Sequence, residues 1–85
     1  MKYDKRISPI RKGLASADYK GLIKNSRFVK GTVYTVNTTY APLYSEKSQK
    51  NLTSQLLFGE YFKVFDVNNE VAWGQSVRDN YVGYT

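Results

Sequence analysis

The side chains that most often carry catalysis are missing from this 85-residue sequence, which has no histidine and no cysteine. The commonest general base, the commonest metal ligand and the thiolate nucleophile are therefore absent. Glu60 and Asp66 offer two carboxylates, but nothing in the sequence places them across a substrate as glycoside hydrolysis requires. No serine lies in a nucleophile-elbow motif. We predict that this chain is not an enzyme by itself and that it binds no metal or cofactor.

Aromatic side chains are the second set that could have a function, since tyrosine, phenylalanine and tryptophan make up 15% of the chain. Flat rings bind peptides and sugars with little loss of conformational entropy. Outward-facing rings near a long loop and the last strand would form a shallow groove, and the candidates are Tyr44, Tyr61, Phe65, Trp73, Tyr81 and Tyr84. Trp73 fits a groove position and a packed position equally well. Tyr81 and Tyr84 fall on opposite faces of one strand, so at most one should contact a ligand.

Positive charge is concentrated at the N-terminus. Residues 1–30 hold nine lysines and arginines against two aspartates, a net charge of +7, whereas residues 31–85 carry −1. Basic surfaces interleaved with aromatic rings bind nucleic acids. Here the charge lies in the leader and the rings lie in the body, and no RNA-binding signature is present. A nucleic-acid-binding basic barrel of the SH3-like or OB-like type is therefore an alternative that the sequence disfavours.

The body of the chain shows the period-two alternation of short strands. A run of β-branched and aromatic residues from Val33 to Tyr40 is expected to end at Ala41-Pro42, because proline cannot donate to a ladder. A polar loop from Ser45 to Asn51 follows, and the later strands are predicted at 52–57, 61–67, 71–77 and 81–84. Tight turns are expected at Asn68-Asn69 and at Arg78–Asn80. Phe62 and Val64 should face the core, with Phe65 on the opposite face.

This order predicts an all-β fold, a small SH3-like barrel of five to six short strands. A long first loop before a three-strand meander fits the SH3-like order better than the OB order. We place the barrel at residues 32–85 and a basic N-terminal arm at residues 1–31. The arm should pack on the barrel, with at most one short helix around 15–20. Its expected apolar anchors are Ile7, Ile10, Leu14, Leu22, Ile23 and Phe28.

Several stretches resemble one bacterial family. In the barrel they are Ala41–Tyr44, Gln55–Glu60, Val64–Phe65, Ala72–Gln75 and Asp79–Tyr84, and in the leader Asp4–Arg6, Arg11–Ala15, Gly21 and Arg27–Gly31. Together they resemble the N-terminal bacterial SH3 (SH3b) domain of NlpC-type cell-wall cysteine peptidases. That family includes dipeptidyl-peptidase VI-like enzymes, which cut γ-D-glutamyl–diamino acid bonds in murein peptides.

The resemblance implies a non-catalytic module that gates or binds a cell-wall peptide of the L-Ala-γ-D-Glu-diamino acid type. The cysteine and histidine of such a peptidase belong to a catalytic domain, which is expected C-terminal to residue 85 as the partner of this barrel. The predicted peptide-binding residues are Tyr44, Tyr61, Trp73, Arg78 and Tyr81. Another alternative is an interaction module that docks a proline-rich or extended peptide in an aromatic groove.

The N-terminus lacks the apolar core of a secretory signal, and the run Leu56–Phe58 is far too short to span a bilayer. We therefore expect a cytoplasmic protein, and the family resemblance implies that it acts in murein peptide recycling. It should not insert into a membrane, and it should be a monomer.

Overall fold

A computed structural model describes residues 3–46 and 51–85, and within them almost all regular structure is β. One sheet contains β1 (Ile10–Arg11), β2 (Leu14–Ser16) and β3 (Phe28–Val29). The larger sheet contains β4 (Thr32–Thr35), β5 (Tyr40–Tyr44), β6 (Leu52–Leu57), β7 (Tyr61–Asn68), β8 (Val71–Ser76) and β9 (Val82–Tyr84). The larger sheet runs in the order β4-β7-β8-β9-β5-β6. The predicted small all-β, SH3-like fold is confirmed.

The strands β7, β8 and β9 form the predicted antiparallel meander. Asn68 pairs with Val71, so the turn residues are Asn69 and Glu70, one position later than predicted. Both have positive φ, 51° and 65°, as a two-residue type I′ hairpin turn requires. Asparagine tolerates this conformation well, which is why the sequence marks this turn within one residue.

The strand predicted from Val33 to Tyr40 is wrong, because the structure divides this run into β4 and β5. Pro42 lies inside β5, opposite Gln55 of β6, instead of ending a strand. β5 pairs with its other neighbour, β9, only at Tyr44–Tyr84. The chain at Pro42 therefore has a ladder on one side only, and its missing N–H leaves no hydrogen bond unmade.

Two apolar clusters lie on opposite faces of the larger sheet. The inner cluster contains Leu43, Leu56 and Phe62, which confirms the core position predicted for Phe62. The outer cluster contains Leu14, Phe65, Trp73 and Val82. Since Leu14 comes from β2, the N-terminal arm (residues 3–31) supplies part of the hydrophobic core and covers the outer face of β7–β9.

The arm contains three short strands as well as the 3₁₀ helix Ala17–Tyr19, whereas the sequence predicted only a short helix there. Hydrogen bonds join it to the barrel, from the Val82 N–H to the Arg6 carbonyl (2.7 Å) and from Gln75 Nε2 to the Ile7 carbonyl (3.1 Å). Leu14 is an anchor, as predicted. Ile7 and Leu22 are not, because their side chains are 46% and 69% exposed. The arm attaches here through its backbone, which hydrophobicity does not reveal.

Candidate functional site

The junction between the arm and the barrel is organised around Arg11 of β1. Its guanidinium carbon lies 4.4 Å from the centroid of the Trp73 ring and 5.8 Å from that of Tyr84. Nη1 donates a hydrogen bond to the Tyr84 hydroxyl at 3.2 Å, and Nη2 forms an ion pair with Asp66. Arginine suits this position because its planar group stacks on a ring while its edge donates to oxygen atoms. We call Arg11, Asp66, Trp73 and Tyr84 the junction cluster.

A β-bulge in β7 brings Asp66 into the junction cluster. Val64 pairs with Gly74 and Asp66 pairs with Trp73, so Phe65 is an extra residue without a partner. Strict alternation would place Asp66 on the inner face with Phe62 and Val64. The bulge reverses this alternation, so that Asp66 lies beside Trp73 on the outer face. The bulge thereby places the Asp66 carboxylate where it pairs with the Arg11 guanidinium.

Gly74 allows β7 and β8 to approach each other next to this bulge. A Cβ atom at Gly74 would lie 2.2 Å from the Lys63 carbonyl oxygen and 2.8 Å from the tip of the Phe62 ring. Any side chain there would push the two strands apart. Gly74 therefore maintains the pairing that aligns Asp66 with Trp73.

A cleft of about 360 Å³ opens beside the junction cluster, between the arm and the chain after β5. This volume is within the range of about 300–1,000 Å³ that small-ligand sites occupy. The cleft has three cationic side chains on the arm side and a carboxylate, Glu46, on the other. It is lined by Lys5, Arg6, Ile10, Arg11, Ser45, Glu46, Thr53, Trp73, Val82, Gly83 and Tyr84. We call it the arm cleft.

The five predicted peptide-binding residues form two groups in the structure. Tyr44 and Trp73 both pair with Tyr84, so they lie at the arm-cleft end of the sheet. The other three surround the turn after β8, where the Val77 N–H donates to the Tyr61 carbonyl and the Ser76 N–H donates to the Tyr81 carbonyl. Trp73 and this turn are separated along β8 by about 10 Å at 3.3 Å per residue. The five predicted residues therefore lie at two separate places on the sheet.

The sequence allowed either a groove position or a packed position for Trp73, and the structure shows the packed position. Only 4% of it is exposed, because Leu14, Phe65 and the Arg11 guanidinium cover it. Phe65 is buried as well, at 7%. The aromatic face that the sequence suggested as an open groove is thus the surface on which the arm packs. Trp73 contributes one wall to the arm cleft and holds Arg11 in place.

The turn after β8 is stabilised by its own polar cluster. Arg78 Nε lies 2.5 Å from Glu60 Oε2, and Glu60 Oε1 accepts a hydrogen bond from the Leu57 N–H at 2.7 Å. Asp79 accepts hydrogen bonds from the Tyr81 N–H and from the Ser54 hydroxyl. Burial would raise the pKa of Asp79, but these two bonds and the Arg78 charge hold it below its usual value. Glu60 and Asp66 therefore lie in separate ion pairs, one with Arg78 and the other with Arg11.

The segment from Leu43 to Tyr84 matches a family model described as the bacterial dipeptidyl-peptidase Sh3 domain. This segment is a bacterial SH3 domain. The match extends from within β5 to the end of β9 and includes Asp66, Trp73 and Tyr84, whereas Arg11 lies outside it in the arm. The resemblance to a peptidase SH3b domain is confirmed. A search of curated proteins and a search of solved structures found no match.

Two further properties concern the described residues of this SH3 domain and its arm. No helix in residues 3–46 and 51–85 is long and apolar enough to cross a membrane. The same residues include no group of three or more metal-ligating side chains. Sequence reasoning missed Arg11, Asp66 and Glu46 as site residues. No local pattern marks Arg11, since its partners Asp66 and Tyr84 are 55 and 73 residues away in the chain.

Proposed function

We propose that this chain is the non-catalytic SH3 module of a cell-wall cysteine peptidase and that it binds the murein peptide in the arm cleft. The match of residues 43–84 to the SH3 domain of bacterial dipeptidyl-peptidases is the observation that carries this proposal. The module acts in the cytoplasm, as a monomer, beside a catalytic domain C-terminal to residue 85. That domain supplies the cysteine and histidine that this chain lacks.

The charge of the arm cleft supports this ligand. A peptide of the L-Ala-γ-D-Glu-diamino acid type carries a free ammonium group at its N-terminus and several carboxylates. Lys5 lines the cleft and forms no ion pair with any residue that the structure describes, so it provides a cation for a carboxylate. Glu46 lies on the opposite side and provides an anion for the ammonium. This separation of charge orients a zwitterionic peptide across the cleft.

Arg11 has a positioning role in this proposal. Asp66 and Tyr84 already use its donors, so the guanidinium forms a wall of the cleft with its orientation fixed. A wall built from a stacked arginine loses little conformational entropy when a ligand binds, because its side chain is already ordered. The same wall limits the length of peptide that can enter, which is the physical basis of gating.

The test is an NMR titration of the ¹⁵N-labelled chain with the tripeptide L-Ala-γ-D-Glu-diaminopimelate. Shifts are expected at the amides of Ser45, Thr53 and Gly83 and at the indole N–H of Trp73. Lys5→Glu should weaken binding at least tenfold, because it places a carboxylate where a carboxylate of the peptide binds. Lys30→Glu makes the same charge change at an exposed site outside the cleft lining and should leave the affinity within twofold of the wild type.

Three other outcomes would change the proposal. Shifts confined to Tyr61, Arg78 and Tyr81 would move the peptide site to the turn after β8. Equal shifts with a proline-rich peptide would favour a general peptide-docking module. No shifts at millimolar tripeptide would overturn binding by this module and leave it only a steric role beside the catalytic domain.

A further inference from the structure

A second groove, on the arm itself, has a different chemistry from the arm cleft. It has a volume of about 650 Å³, and no aromatic ring or carboxylate is among the described residues that line it. Four of its eight lining residues are cationic, and the full set is Lys5, Ile10, Arg11, Lys12, Gly13, Lys24, Asn25 and Ser26. We call it the basic groove.

The local structure explains why these cations lie together. Arg11 pairs with Leu14, so Lys12 and Gly13 form the tight turn between β1 and β2, and Gly13 has a φ of 88°. The Asn25 side chain donates to the Arg11 carbonyl at 2.9 Å, which holds the segment around Lys24 against that turn. Two segments 12 residues apart therefore present their lysines to one groove. The pairing of β1 with β2 and the hydrogen bond from the Asn25 side chain fix this arrangement.

The charge of the basic groove is available to a ligand. Asp66 occupies the charged edge of Arg11, but Lys5, Lys12 and Lys24 form no ion pair within residues 3–46 and 51–85. Lys12 and Lys24 are exposed. Ammonium groups held together without a counter-ion repel one another, and an anion with several charges relieves that repulsion.

We propose that the basic groove binds a phosphate polyanion. The lysines of the groove contact the charged phosphates of the polyanion's backbone. Lysine binds phosphate as a point charge and needs no particular ligand geometry. A single compact anion would meet only some of three ammonium groups in an open groove, whereas a chain of phosphates meets all of them. Because no ring lines the groove, it has no surface on which a base would stack. Binding is therefore independent of base sequence. Lys5 and Arg11 line both the basic groove and the arm cleft, whereas Lys12 and Lys24 line only the basic groove.

The experiment measures binding of the whole chain to a fluorescein-labelled mixed-sequence 20-nucleotide DNA strand by anisotropy, with unlabelled polyanions as competitors. Three ammonium contacts predict a slope of about −2 in a plot of log K against log salt concentration, from −0.7 per contact on a single strand. That slope corresponds to an approximately twentyfold loss of affinity between 50 and 200 mM salt. Inorganic polyphosphate should compete as well as DNA per charge, because none of the described residues that line the groove has a ring on which a base would stack.

The decisive comparison is between two double variants with the same net charge. Lys12→Glu with Lys24→Glu reverses charge in the groove and should reduce DNA affinity at least tenfold. Lys20→Glu with Lys30→Glu reverses two exposed arm lysines outside the groove lining and should stay within threefold of the wild type. Thermal unfolding of each variant checks that it is folded. Lys12 and Lys24 lie outside the arm cleft, so murein tripeptide binding is unaffected by the groove variant.

Equal losses in the two double variants would show that overall charge, not the groove, binds the polyanion, and would overturn the proposal. Failure of polyphosphate to displace DNA would do the same by showing that bases or sugars carry the binding.

Discussion

The guanidinium carbon of Arg11 lies 4.4 Å from the centroid of the Trp73 ring, on the outer face of the sheet. The same guanidinium pairs with Asp66, so a ring and a carboxylate hold it from two sides. The contact joins the N-terminal arm to the strands of the SH3 domain. The arm covers the aromatic face of β7–β9 at this contact, and the arm cleft opens beside it.

Removal of the Arg11 side chain should loosen the arm without unfolding the sheet. A cation–π contact contributes about 0.5–2 kcal/mol. A partly exposed ion pair adds less than about 1 kcal/mol after solvent screening. We therefore expect Arg11→Ala to lower the free energy of unfolding by about 1–2 kcal/mol in urea titrations. Trp73 fluorescence should shift to longer wavelength as the indole becomes hydrated.

Arg27→Ala is the matched control for this change, because Arg27 is exposed and only its backbone carbonyl is bonded, to the Ala15 N–H. It should leave both stability and fluorescence as in the wild type. An Arg11→Ala chain with an unchanged emission maximum would show that Trp73 is covered without Arg11.

Leu14 should be the arm side chain on which stability depends most. It is 3% exposed and packs with Phe65, Trp73 and Val82. Leu14→Ala should lower the free energy of unfolding by about 2–5 kcal/mol, as expected for a buried leucine. Leu22→Ala, at 69% exposure, should change it by less than about 0.5 kcal/mol. Similar losses for the two leucines in urea unfolding would contradict the arm packing described above.

Gly74 should tolerate no side chain. Gly74→Ala places a Cβ atom 2.2 Å from the Lys63 carbonyl oxygen, so β7 and β8 must separate. We expect a loss of at least about 3 kcal/mol, the upper range for overpacking. Gly59→Ala is the control, since its Cβ has open space and only the left-handed backbone (φ 87°) is strained, at about 1–2 kcal/mol. Equal melting temperatures for the two variants would rule out the close approach at Gly74.

Asp79 should make the stability of this protein depend on acid pH. Its pKa is lowered in the folded state, so its contribution is present above the ordinary value of about 3.9 and is lost as the pH falls through the folded value. Asp79→Asn should flatten the fall in the free energy of unfolding below about pH 4 in urea titrations. Some dependence should remain from Asp4, whose pKa Arg6 lowers.

Ser54→Ala removes one of three hydrogen bonds to the Asp79 carboxylate, so it should flatten the fall in unfolding free energy at acid pH only in part. Parallel plots of the free energy of unfolding against pH for the wild type and Asp79→Asn would show that the Asp79 carboxylate contributes nothing to stability at acid pH.

Properties that depend on neighbouring residues were predictable from the sequence. Alternation from Tyr61 to Val64 assigns Phe62 to the core, and asparagines at the end of β7 mark the hairpin turn within one residue. Short stretches such as Gln55–Glu60 and Asp79–Tyr84 identify the SH3 family. The first two signals depend on backbone geometry within a few residues, which side-chain type controls directly, and the third is a resemblance to a known family.

The tertiary structure alone decided where the candidate site lies. A bulge at Phe65 reverses the alternation of β7 and turns Asp66 toward an arginine 55 residues earlier in the chain. Pro42 fits inside a strand because β9 leaves that side of β5 unpaired. Trp73 is covered because the arm brings Leu14 and Arg11 over it. The sequence by itself determined a small all-β barrel with a basic leader, since local periodicity and composition suffice for that, and the bacterial SH3 family came from the resemblance of its short stretches. The junction cluster and the two grooves arise from contacts between distant segments, whose register no local pattern specifies.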